Sequence, residues 1–349
     1  MTTVLPDDAL AELVDLGAVI DAVRAAHIDL ALGRAEQPVP AISPTVGATI
    51  VLPMVATSHR LGLTVVKVLA DAPANRDEDG PAQQSTLVVL DARTGARLAV
   101  MSGGTCTRMR TAAASAVATD ALSRTDSRVL GLVGAGPLAV EHVAAVRMVR
   151  SIDTVVVWSR SAVRVSAFRR ALRRREHADG ARALAVITAS GPREVVEAAD
   201  VVCTLTPSRV PVVEGAWFRP GLHVNAVGAP PRPDHREIDS AGMARATVFV
   251  DNTGVQLRKS GEALLSLRDG TTTEEDFRLE LGAVLAALVP GRTGPGQITL
   301  FNSVGIALQD LAFAAVALQA ASGETPHRPI HASAGFRATP AECSSLQPG

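Results

Sequence analysis

The residues with the clearest chemical pattern lie in LGLVGAGPLA, residues 130–139, where apolar residues lead into a glycine-rich turn. Gly134, Gly136 and Ala139 have the spacing of a βα turn that binds a dinucleotide. The first glycine permits the tight bend, the second lets the backbone approach a pyrophosphate, and the small third residue lets helix and strand pack closely. Because a strand pattern precedes the turn and a helix pattern follows it, the stretch predicts a dinucleotide site rather than a turn without a ligand.

The residues after the next strand bear on which dinucleotide is bound. TVVVW, residues 154–158, leads into Ser159, Arg160 and Ser161, with no acidic residue at the end of the strand. An acid at this place reads the ribose 2′-hydroxyl of NAD, whereas arginine and hydroxyl groups suit a 2′-phosphate. The sequence therefore predicts NADPH, with NADH as the alternative if Arg160 is only a solvated surface residue.

A later strand ends in TLTPS, residues 204–208, which either borders the nicotinamide ribose or is an ordinary exit from a strand. Ligands of such sheets lie beyond the carboxyl ends of the strands. The residues predicted to bind the cofactor are Thr111, Gly134, Ala135, Gly136, Pro137, Leu138, Ser159, Arg160, Ser161, Thr204, Leu205, Thr206, Val227 and Gly228.

Two cations precede the glycine turn in the sequence. Lys67 stands in an otherwise apolar strand, LTVVKVLA, where an unpaired buried charge would be costly. Arg110, in TRMRT before a run of small residues, has the geometry to bind an anion through two hydrogen bonds. The alternatives are that Lys67 faces water from an edge strand and that Arg110 is a surface charge at the start of a helix.

Composition and charge limit the class of partner. The chain has 349 residues, enough for two domains, and its formal net charge is −1. Aromatic residues make up 3% of the chain and Tyr is absent. Such a chain offers neither the basic surface nor the stacking platforms of a nucleic-acid-binding protein, and it has no attraction to anionic membranes. We expect a small-molecule ligand, with neither nucleic acid nor a membrane as partner.

The spacing of cysteines and histidines predicts neither a disulfide framework nor a metal site. Cys106, Cys203 and Cys343 lie far apart, and the histidines form no H-E-x-x-H motif. His327 and His331 are four residues apart, but a proline lies between them. The N-terminus has acidic residues where a signal peptide would have lysines, so we expect the chain in the reducing cytoplasm.

The first third of the chain has two kinds of pattern. Residues 8–33 have helical spacing of apolar residues. Residues 34–105 contain β-rich runs separated by Pro and Gly, with a hairpin turn at DARTG, residues 91–95. This block predicts a small sheet built from hairpins.

From residue 128 onward, predicted strands alternate with predicted helices. This alternation is typical of an α/β fold with a doubly wound parallel sheet. Residues 274–289 and 299–321 have helical patterns again. The region from about 323 is rich in Pro, Ser and Thr and is expected to be poorly ordered.

Five blocks in order resemble the ornithine cyclodeaminase/mu-crystallin family: VVKVLADAPANRD, LDARTGARLAVMSGGTCTRMRTAAASAVATDAL, LVGAGPLA, ADVVCTLTPSRVPVVEGAWFRPGLHVNAVGA and ITLFNSVGIALQDLA. The resemblance implies a Rossmann-type doubly wound parallel sheet inserted into a second α+β domain that binds substrate and forms a homodimer. The corresponding division assigns residues 1–115 and 300–322 to the substrate-binding and dimerisation domain. Residues 116–299 form the NAD(P)-binding domain, and residues 323–349 form a flexible tail.

The resemblance also implies roles for single residues. Lys67 and Arg110 match the family's strand lysine and the arginine of its T-x-x-R-T-A-A motif, which face nicotinamide and substrate, and they are the predicted catalytic residues. Met54 and Pro230 are predicted to contact the substrate together with them. Asp310 matches a family position near the site, or it is only a polar residue that packs a helix.

One departure from the family pattern concerns the general base. Family cyclodeaminases have an aspartate two residues after the glycine of the V-G-A turn, but Pro230 stands at that place here. The string VGAPPRPDHREID instead resembles the mu-crystallin form of the loop, and Asp234 is its first acid. This departure argues against deamination.

A second departure concerns the substrate carboxylate. The family arginine that grips it is replaced by Pro40 or Ala41. Either the substrate lacks an α-carboxylate, or Arg60, Arg108 or Arg110 holds it instead.

Together these features predict an NADPH-dependent reductase of a C=N bond, which in reverse is an amine or amino-acid dehydrogenase. The altered substrate residues favour a specialised pathway. Two alternatives remain: an NAD-dependent cyclodeaminase that releases ammonia from a diamino acid, and a non-catalytic protein that binds a small ligand, as mu-crystallin does.

Overall fold

The computed structural model describes residues 2–41, 43–44, 49–72, 75 and 83–323, and within them the chain forms two sheets of seven strands each. The strands are β1 (Thr3–Leu5), β2 (Ala35–Glu36), β3 (Ser43–Pro44), β4 (Ile50–Ser58), β5 (Leu63–Asp71), β6 (Gln83–Asp91), β7 (Arg97–Ser102), β8 (Val129–Val133), β9 (Thr154–Trp158), β10 (Ala185–Thr188), β11 (Val201–Thr204), β12 (His223–Ala226), β13 (Thr247–Val250) and β14 (Thr299–Asn302). The helices are α1 (Asp7–Leu13), α2 (Leu16–Ala31), α3 (Gly103–Leu122), α4 (Pro137–Val149), α5 (Ala162–Ala178), α6 (Pro192–Ala198), α7 (Ser240–Arg245), α8 (Thr253–Lys259), α9 (Gly261–Arg268), α10 (Leu281–Leu285) and α11 (Ala307–Ser322).

The first sheet has the order β1-β7-β6-β5-β4-β2, with β3 beside β4. Strands β4 to β7 are antiparallel neighbours, and β1 joins β7 in parallel. The predicted hairpin turn joins β6 to β7, where the Asp91 side chain accepts hydrogen bonds from the N–H groups of Arg93 and Thr94 at 3.0 and 2.7 Å. The prediction of a sheet made of hairpins is therefore confirmed.

Strand β5 lies inside this sheet and shows the alternation that a one-sided core requires. Every second residue from Leu63 to Asp71 is buried, and Lys67 is among them. Helices α3 and α11 pack on the first sheet, α11 against β4 and β5 and α3 against β6. Lys67 is 1% exposed, so the alternative of an edge-strand lysine that faces water is wrong.

The second sheet has the order β10-β9-β8-β11-β12-β14-β13, and its neighbouring strands are all parallel. Two hydrophobic clusters, one with Val202 and Val224 and one with Leu130 and Val155, form on this sheet. This is the α/β fold with a Rossmann-type doubly wound sheet that the alternation of strands and helices predicts.

Two helical predictions are wrong in part. Residues 299–302 form strand β14, and the helix begins only at Ala307. All four residues of β14 are buried, and a fully buried parallel strand has no apolar–polar alternation to distinguish it from a buried helix. In the range 274–289 a 3-10 turn at Glu274–Phe277 precedes the short helix α10.

The two predicted domain boundaries cut through elements of the structure. Helix α3 continues across residues 115 and 116, and β14 places residues 300–302 in the second sheet. The division into a substrate-binding and a cofactor-binding domain stays a prediction, with boundaries that would lie after α3 and after β14. Residues 324–349 of the predicted tail, including His327 and His331, lie outside the described residues.

Helix α3 connects the two sheets through buried polar contacts. Ser115 donates to His142 Nε2 at 3.0 Å, and the Thr119 hydroxyl accepts from the Asn225 amide at 2.9 Å. Because buried polar groups are costly without partners, these contacts fix α3 against α4 and β12. In the part of the chain that the structure describes, no helix has the length and apolarity to cross a membrane.

Candidate active site

A cleft opens between the first sheet with its helices and the carboxyl ends of the second sheet, and residues from both sides line it. Predicted residues that line this cleft are Met54, Lys67, Arg110, Thr111, Leu138, Leu205, Val227, Gly228 and Pro230. Pro40 also lies in its wall. The fold thus brings the two predicted catalytic cations next to several of the predicted cofactor-binding residues.

Lys67 forms a buried ion pair in the wall of the cleft. Its Nζ donates to Asp310 Oδ1 and to Thr107 Oγ1, both at 2.9 Å. Asp310 is fully buried, so the carboxylate compensates a charge that the interior would otherwise strongly disfavour. An ammonium group has three N–H donors, and two of them are used here, so one remains for a ligand in the cleft.

Arg110 shares the same carboxylate. Its Nε lies 3.3 Å from Asp310 Oδ1, and its Nη1 donates to Gln309 Oε1 at 2.8 Å. Arg110 is only 8% exposed, which excludes the alternative of a surface charge. Gly305 packs directly on the guanidinium group with φ +81°, and a Cβ there would lie 2.6 Å from Nη1.

Arg110 is hydrogen-bonded to Gln309, and Gln309 is in turn hydrogen-bonded to the buried His27. Gln309 Nε2 lies 3.2 Å from His27 Nε2, and because Gln309 Oε1 accepts from Arg110, the amide nitrogen is the donor to the ring. Burial lowers the pKa of His27 to about 4, so the ring is neutral and accepts. The three residues form one hydrogen-bonded row that orients Arg110.

Asp251 fixes the loop that follows β14 at the edge of the cleft. Asp251 accepts from Ser303 Oγ at 2.6 Å and from the Gly305 N–H at 3.0 Å, and burial raises its pKa to about 6.

Cys106 Sγ lies 3.5 Å from Asp310 Oδ1, and burial together with that carboxylate raises the pKa of the thiol. The thiol is therefore protonated, which argues against a nucleophilic role.

Glu237 joins the two loops that follow β11 and β12. Its carboxylate accepts from Thr204 Oγ1 at 2.7 Å, from the Thr206 N–H at 2.5 Å and from the Gly228 N–H at 2.8 Å. Burial, with the nearby Glu262 carboxylate, raises its pKa to about 7. The contacts tie the ends of both strands together at the edge of the cleft, although the Thr204 side chain itself is fully buried and does not line the cleft.

The glycine turn has the shape that a pyrophosphate requires. Gly134 has φ +119°, and a Cβ there would lie 2.9 Å from the Leu205 carbonyl oxygen, so only glycine fits. A Cβ on Gly136, by contrast, would meet nothing within 4 Å, which leaves open space in front of the first turn of α4. Helix α4 begins at Pro137 without a side-chain cap. Open space before an uncapped helix start is what a phosphate group fits.

The end of β9 lies beside this turn, since the Gly134 N–H donates to the Trp158 carbonyl at 2.9 Å. Arg160 is exposed, and Ser161 caps α5 by accepting from the Arg164 N–H at 3.3 Å. Ser159, Arg160 and Ser161 therefore lie where a nucleotide ribose would be placed, but outside the cleft that holds Lys67.

Other residues weighed from the sequence lie away from the cleft. Arg60 is paired with Asp29 at 2.6 Å, and Arg108 donates to Thr105 at 2.9 Å beside a separate groove. The Asp234 side chain is 61% exposed and contacts the His235 ring at 2.9 Å. None of the three supplies a charge to the wall of the cleft in the described structure.

The family of the chain follows from comparison with known proteins. A model of the ornithine cyclodeaminase/mu-crystallin family matches residues 2–324. The chain belongs to this family. It is 36% identical to the ketimine reductase mu-crystallin of Mus musculus over 231 residues, which cover 66% of this chain and 67% of the mouse protein.

Two solved structures of the family have the same fold over nearly the whole chain. The Thermococcus litoralis Δ1-pyrroline-2-carboxylate reductase in complex with NADH and L-proline superimposes with a TM-score of 0.87 at 31% identity, covering 92% of this chain and 98% of that one. An archaeal alanine dehydrogenase dimer with bound NAD gives a TM-score of 0.85 at 28% identity, covering 92% and 96%. These relatives are oxidoreductases by name, as the sequence analysis predicted for this family member.

Two residues of the site have no clear signal in the sequence, and a third, Asp310, has an ambiguous one. Asp310 is either a site residue or a packing residue by sequence, and the fold places it against Lys67 and Arg110. Glu237, three residues after Asp234 in the loop that follows β12, has no sequence pattern that distinguishes it from a surface acid. Lys259, which lines the cleft from α8, stands in the charged string LRKSGE and resembles an ordinary solvated helix end.

Proposed function

We propose that the chain is an NADPH-dependent imine reductase, which in reverse acts as an amine or amino-acid dehydrogenase. The observation that carries this proposal is the Lys67–Asp310–Arg110 cluster in the wall of the cleft that Leu205, Val227 and Gly228 also line. The changed residues at Pro40 and Pro230 support a substrate from a specialised pathway. The names of the family relatives support the reaction type.

The chemistry divides between the cofactor and the residues of the chain. Bound reduced nicotinamide supplies the hydride that converts the C=N carbon to a C–H centre. The imine nitrogen gains one proton, and Lys67, which uses two of its three N–H donors on described residues, donates that proton or a charge-assisted hydrogen bond. Asp310 supplies the counter-charge of the ammonium group and, together with Thr107, orients it.

Arg110 positions an anionic group of the substrate. Its Nη1 and Nε face Gln309 and Asp310, so Nη2 is left to donate to a ligand. Pro230 is buried at the wall where a cyclodeaminase would need its base, and proline has no group that exchanges a proton. This supports net reduction over ammonia release.

NADPH rather than NADH is the proposed cofactor. Arg160 is exposed beside the glycine turn without a carboxylate partner in the described structure, and no acid stands among residues 159–161. Arg160→Glu is expected to lower kcat/KM with NADPH by about tenfold or more while NADH turnover changes little. An unchanged ratio between the two cofactors in this variant would argue that Arg160 is only a surface residue.

A homodimer built on the first sheet is proposed as the assembly. The archaeal alanine dehydrogenase structure is described as a dimer. The outer face of β5 exposes Val68 at 45%, which is unusual for an apolar side chain of an interior strand. Sedimentation should give twice the mass of one chain, and Val68→Asp should shift the mass towards the monomer.

The decisive experiment measures NADPH consumption with Δ1-pyrroline-2-carboxylate and related imines. Lys67→Met is expected to lower kcat by about 100-fold or more while the Kd of NADPH changes less than about twofold. Normal turnover in Lys67→Met would remove Lys67 from the mechanism. Ammonia release from a diamino acid without net NADPH loss would replace the proposal by a cyclodeaminase, and ligand binding without any turnover would replace it by a carrier.

A further inference from the structure

Lys259 has a largely buried side chain whose ammonium group reaches the cleft and has no partner among the described residues. It is the last residue of α8, it is only 7% exposed, and it lines the cleft together with Val255, one helical turn before it. No hydrogen bond or ion pair from its ammonium group to the described part of the chain is present. Burial lowers the pKa of Lys259, and the neighbouring Arg258 charge lowers it further.

The cations that line the cleft differ in whether a carboxylate lies near them. Lys67 and Arg110 share the Asp310 carboxylate. Asp251 also interacts electrostatically with Arg110, and it accepts hydrogen bonds from Ser303 and Gly305. Lys67 and Arg110 thus each have a carboxylate nearby. Lys259 has none among the described residues, and its largely buried side chain leaves the ammonium group only partly hydrated at the cleft surface, which costs free energy without a counter-ion. An anion delivered by a ligand would remove this cost.

Lys259 also lies on a different part of the fold from Lys67 and Arg110. Lys67 belongs to β5 and Arg110 to α3, whereas α8 follows β13 at the edge of the second sheet. A Cβ on Gly254, near the start of α8, would lie 3.6 Å from the Val39 side chain, so α8 packs beside the segment that carries Pro40. The cleft therefore has cations on elements of both sheets, and a ligand that bridges it can meet two of them.

We propose that Lys259 is a second anion-binding position in the cleft, and that the imine substrate carries a second acidic group in addition to the one that Arg110 positions. This inference rests on the proposed imine reduction and narrows its substrate class to imines of dicarboxylic acids. Lys259 is a specificity-determining residue in this assignment and takes no part in proton transfer.

The test uses imines that form in solution from ammonia and matched 2-oxo acids. Oxaloacetate is compared with 2-oxobutyrate, and 2-oxoglutarate with 2-oxovalerate, so that each pair has one chain length and differs by one carboxylate. The measured quantity is the ratio of kcat/KM for the diacid to kcat/KM for the monoacid. Lys259→Met is expected to lower this ratio by about 10- to 100-fold, since one charge-assisted contact is lost, and Lys259→Arg should retain most of it.

Arg258→Met is the matched control, because it removes one positive charge from the adjacent residue, which is exposed. It should leave the ratio unchanged. A ratio that is equal in wild type and Lys259→Met, or a wild type with no preference for diacids, would overturn the inference. A tenfold weaker Kd for NADPH in Lys259→Met would also overturn it, because Lys259 would then bind a phosphate of the cofactor.

Binding measurements separate this inference from the proposed function. If wild-type protein reduces none of these imines, the proposed function fails, and calorimetry with 2-oxoglutarate and 2-oxovalerate on the full chain decides the role of Lys259. Tighter binding of the diacid that is lost in Lys259→Met keeps the anion-binding position. Equal binding of both acids, or an equal loss of both in the variant, refutes it.

Discussion

Replacing Asp310 by Asn removes one charge from the centre of the site while keeping its shape. Asp310 Oδ1 accepts from Lys67 at 2.9 Å, and its Oδ2 has no hydrogen-bond partner among the described residues. An amide placed with its oxygen at Oδ1 therefore retains the hydrogen bond from Lys67, and its NH₂ group takes the place of an oxygen that accepts no hydrogen bond from the described residues. What the substitution removes is the counter-charge for two buried cations.

The magnitude follows from the burial of the three groups. Lys67 is 1% exposed, Asp310 0% and Arg110 8%, so solvent screens this cluster very little. Removing one partner of a buried ion pair costs about 3 to 5 kcal/mol. The part of this cost that falls on Lys67 has an upper limit, because a lysine ammonium without a counter-ion can release its proton, and for an amine of ordinary pKa this takes about 4.6 kcal/mol at pH 7. Arg110 has no such limit, because its guanidinium stays charged. The two estimates agree.

The assay is urea unfolding of wild type and Asp310→Asn at pH 7 and pH 9. The free energy of unfolding should fall by about 3 to 5 kcal/mol at pH 7, and the loss should shrink at pH 9, where releasing the lysine proton costs about 2.7 kcal/mol less. Asp126→Asn is the control, since Asp126 pairs with Arg124 at 2.8 Å but is 69% exposed, and it should change stability little. Equal stability of wild type and Asp310→Asn at pH 7 would refute the reasoning that a buried counter-charge holds the site together.

Two further predictions concern the arginine and the loops beside the cofactor. Gly305→Ala should lower kcat/KM by about tenfold or more, because its Cβ would displace the Arg110 guanidinium, while the Kd of NADPH, measured by fluorescence titration, should not change. Glu237, with a pKa of about 7 in the fold and 4.5 ordinarily, binds more proton when folded, so the free energy of unfolding of wild type should fall relative to Glu237→Gln as the pH rises from 4.5 to 7. Urea midpoints across this range measure the difference, and a constant offset would contradict the buried carboxyl.

The role of a residue can be predicted from the sequence where the residues next to it in the chain are enough to define that role. Gly134 and Gly136 have this property, because their spacing, a preceding strand and a following helix are all read within ten residues. Lys67 has it in part, since a charge within an apolar strand is either paired or exposed, and only the sheet order decides which. The role of Asp310 is the hardest to predict, because it depends on a contact with Lys67, which lies 243 residues away in the chain.

The same reasoning explains the misassigned strand and the overlooked lysine. Strand β14 lies between β12 and β13 with every residue buried, so its apolar run carries no period that distinguishes it from a helix. Lys259 stands next to an exposed arginine at a helix end, where a charge is usually solvated. Its burial arises from α8 packing beside the segment of Val39, which no pattern within either stretch encodes.

Helix α3 is the element through which substrate groups and cofactor groups keep one geometry. Near its start Thr107 and Arg110 contact Lys67 and the residues of α11, and one turn later Ser115 binds His142, whose Nδ1 in turn donates to the Leu138 carbonyl in the first turn of α4. Burial lowers the pKa of His142 to about 4, so the ring is neutral and can accept from Ser115 while it donates to the carbonyl. Any shift of the helix that follows the glycine turn must therefore move the helix that carries the arginine. Since hydride transfer requires the reacting atoms to be held within about 3 to 3.5 Å, a single rigid helix that binds both sides is a physical reason for the buried polar contacts along α3.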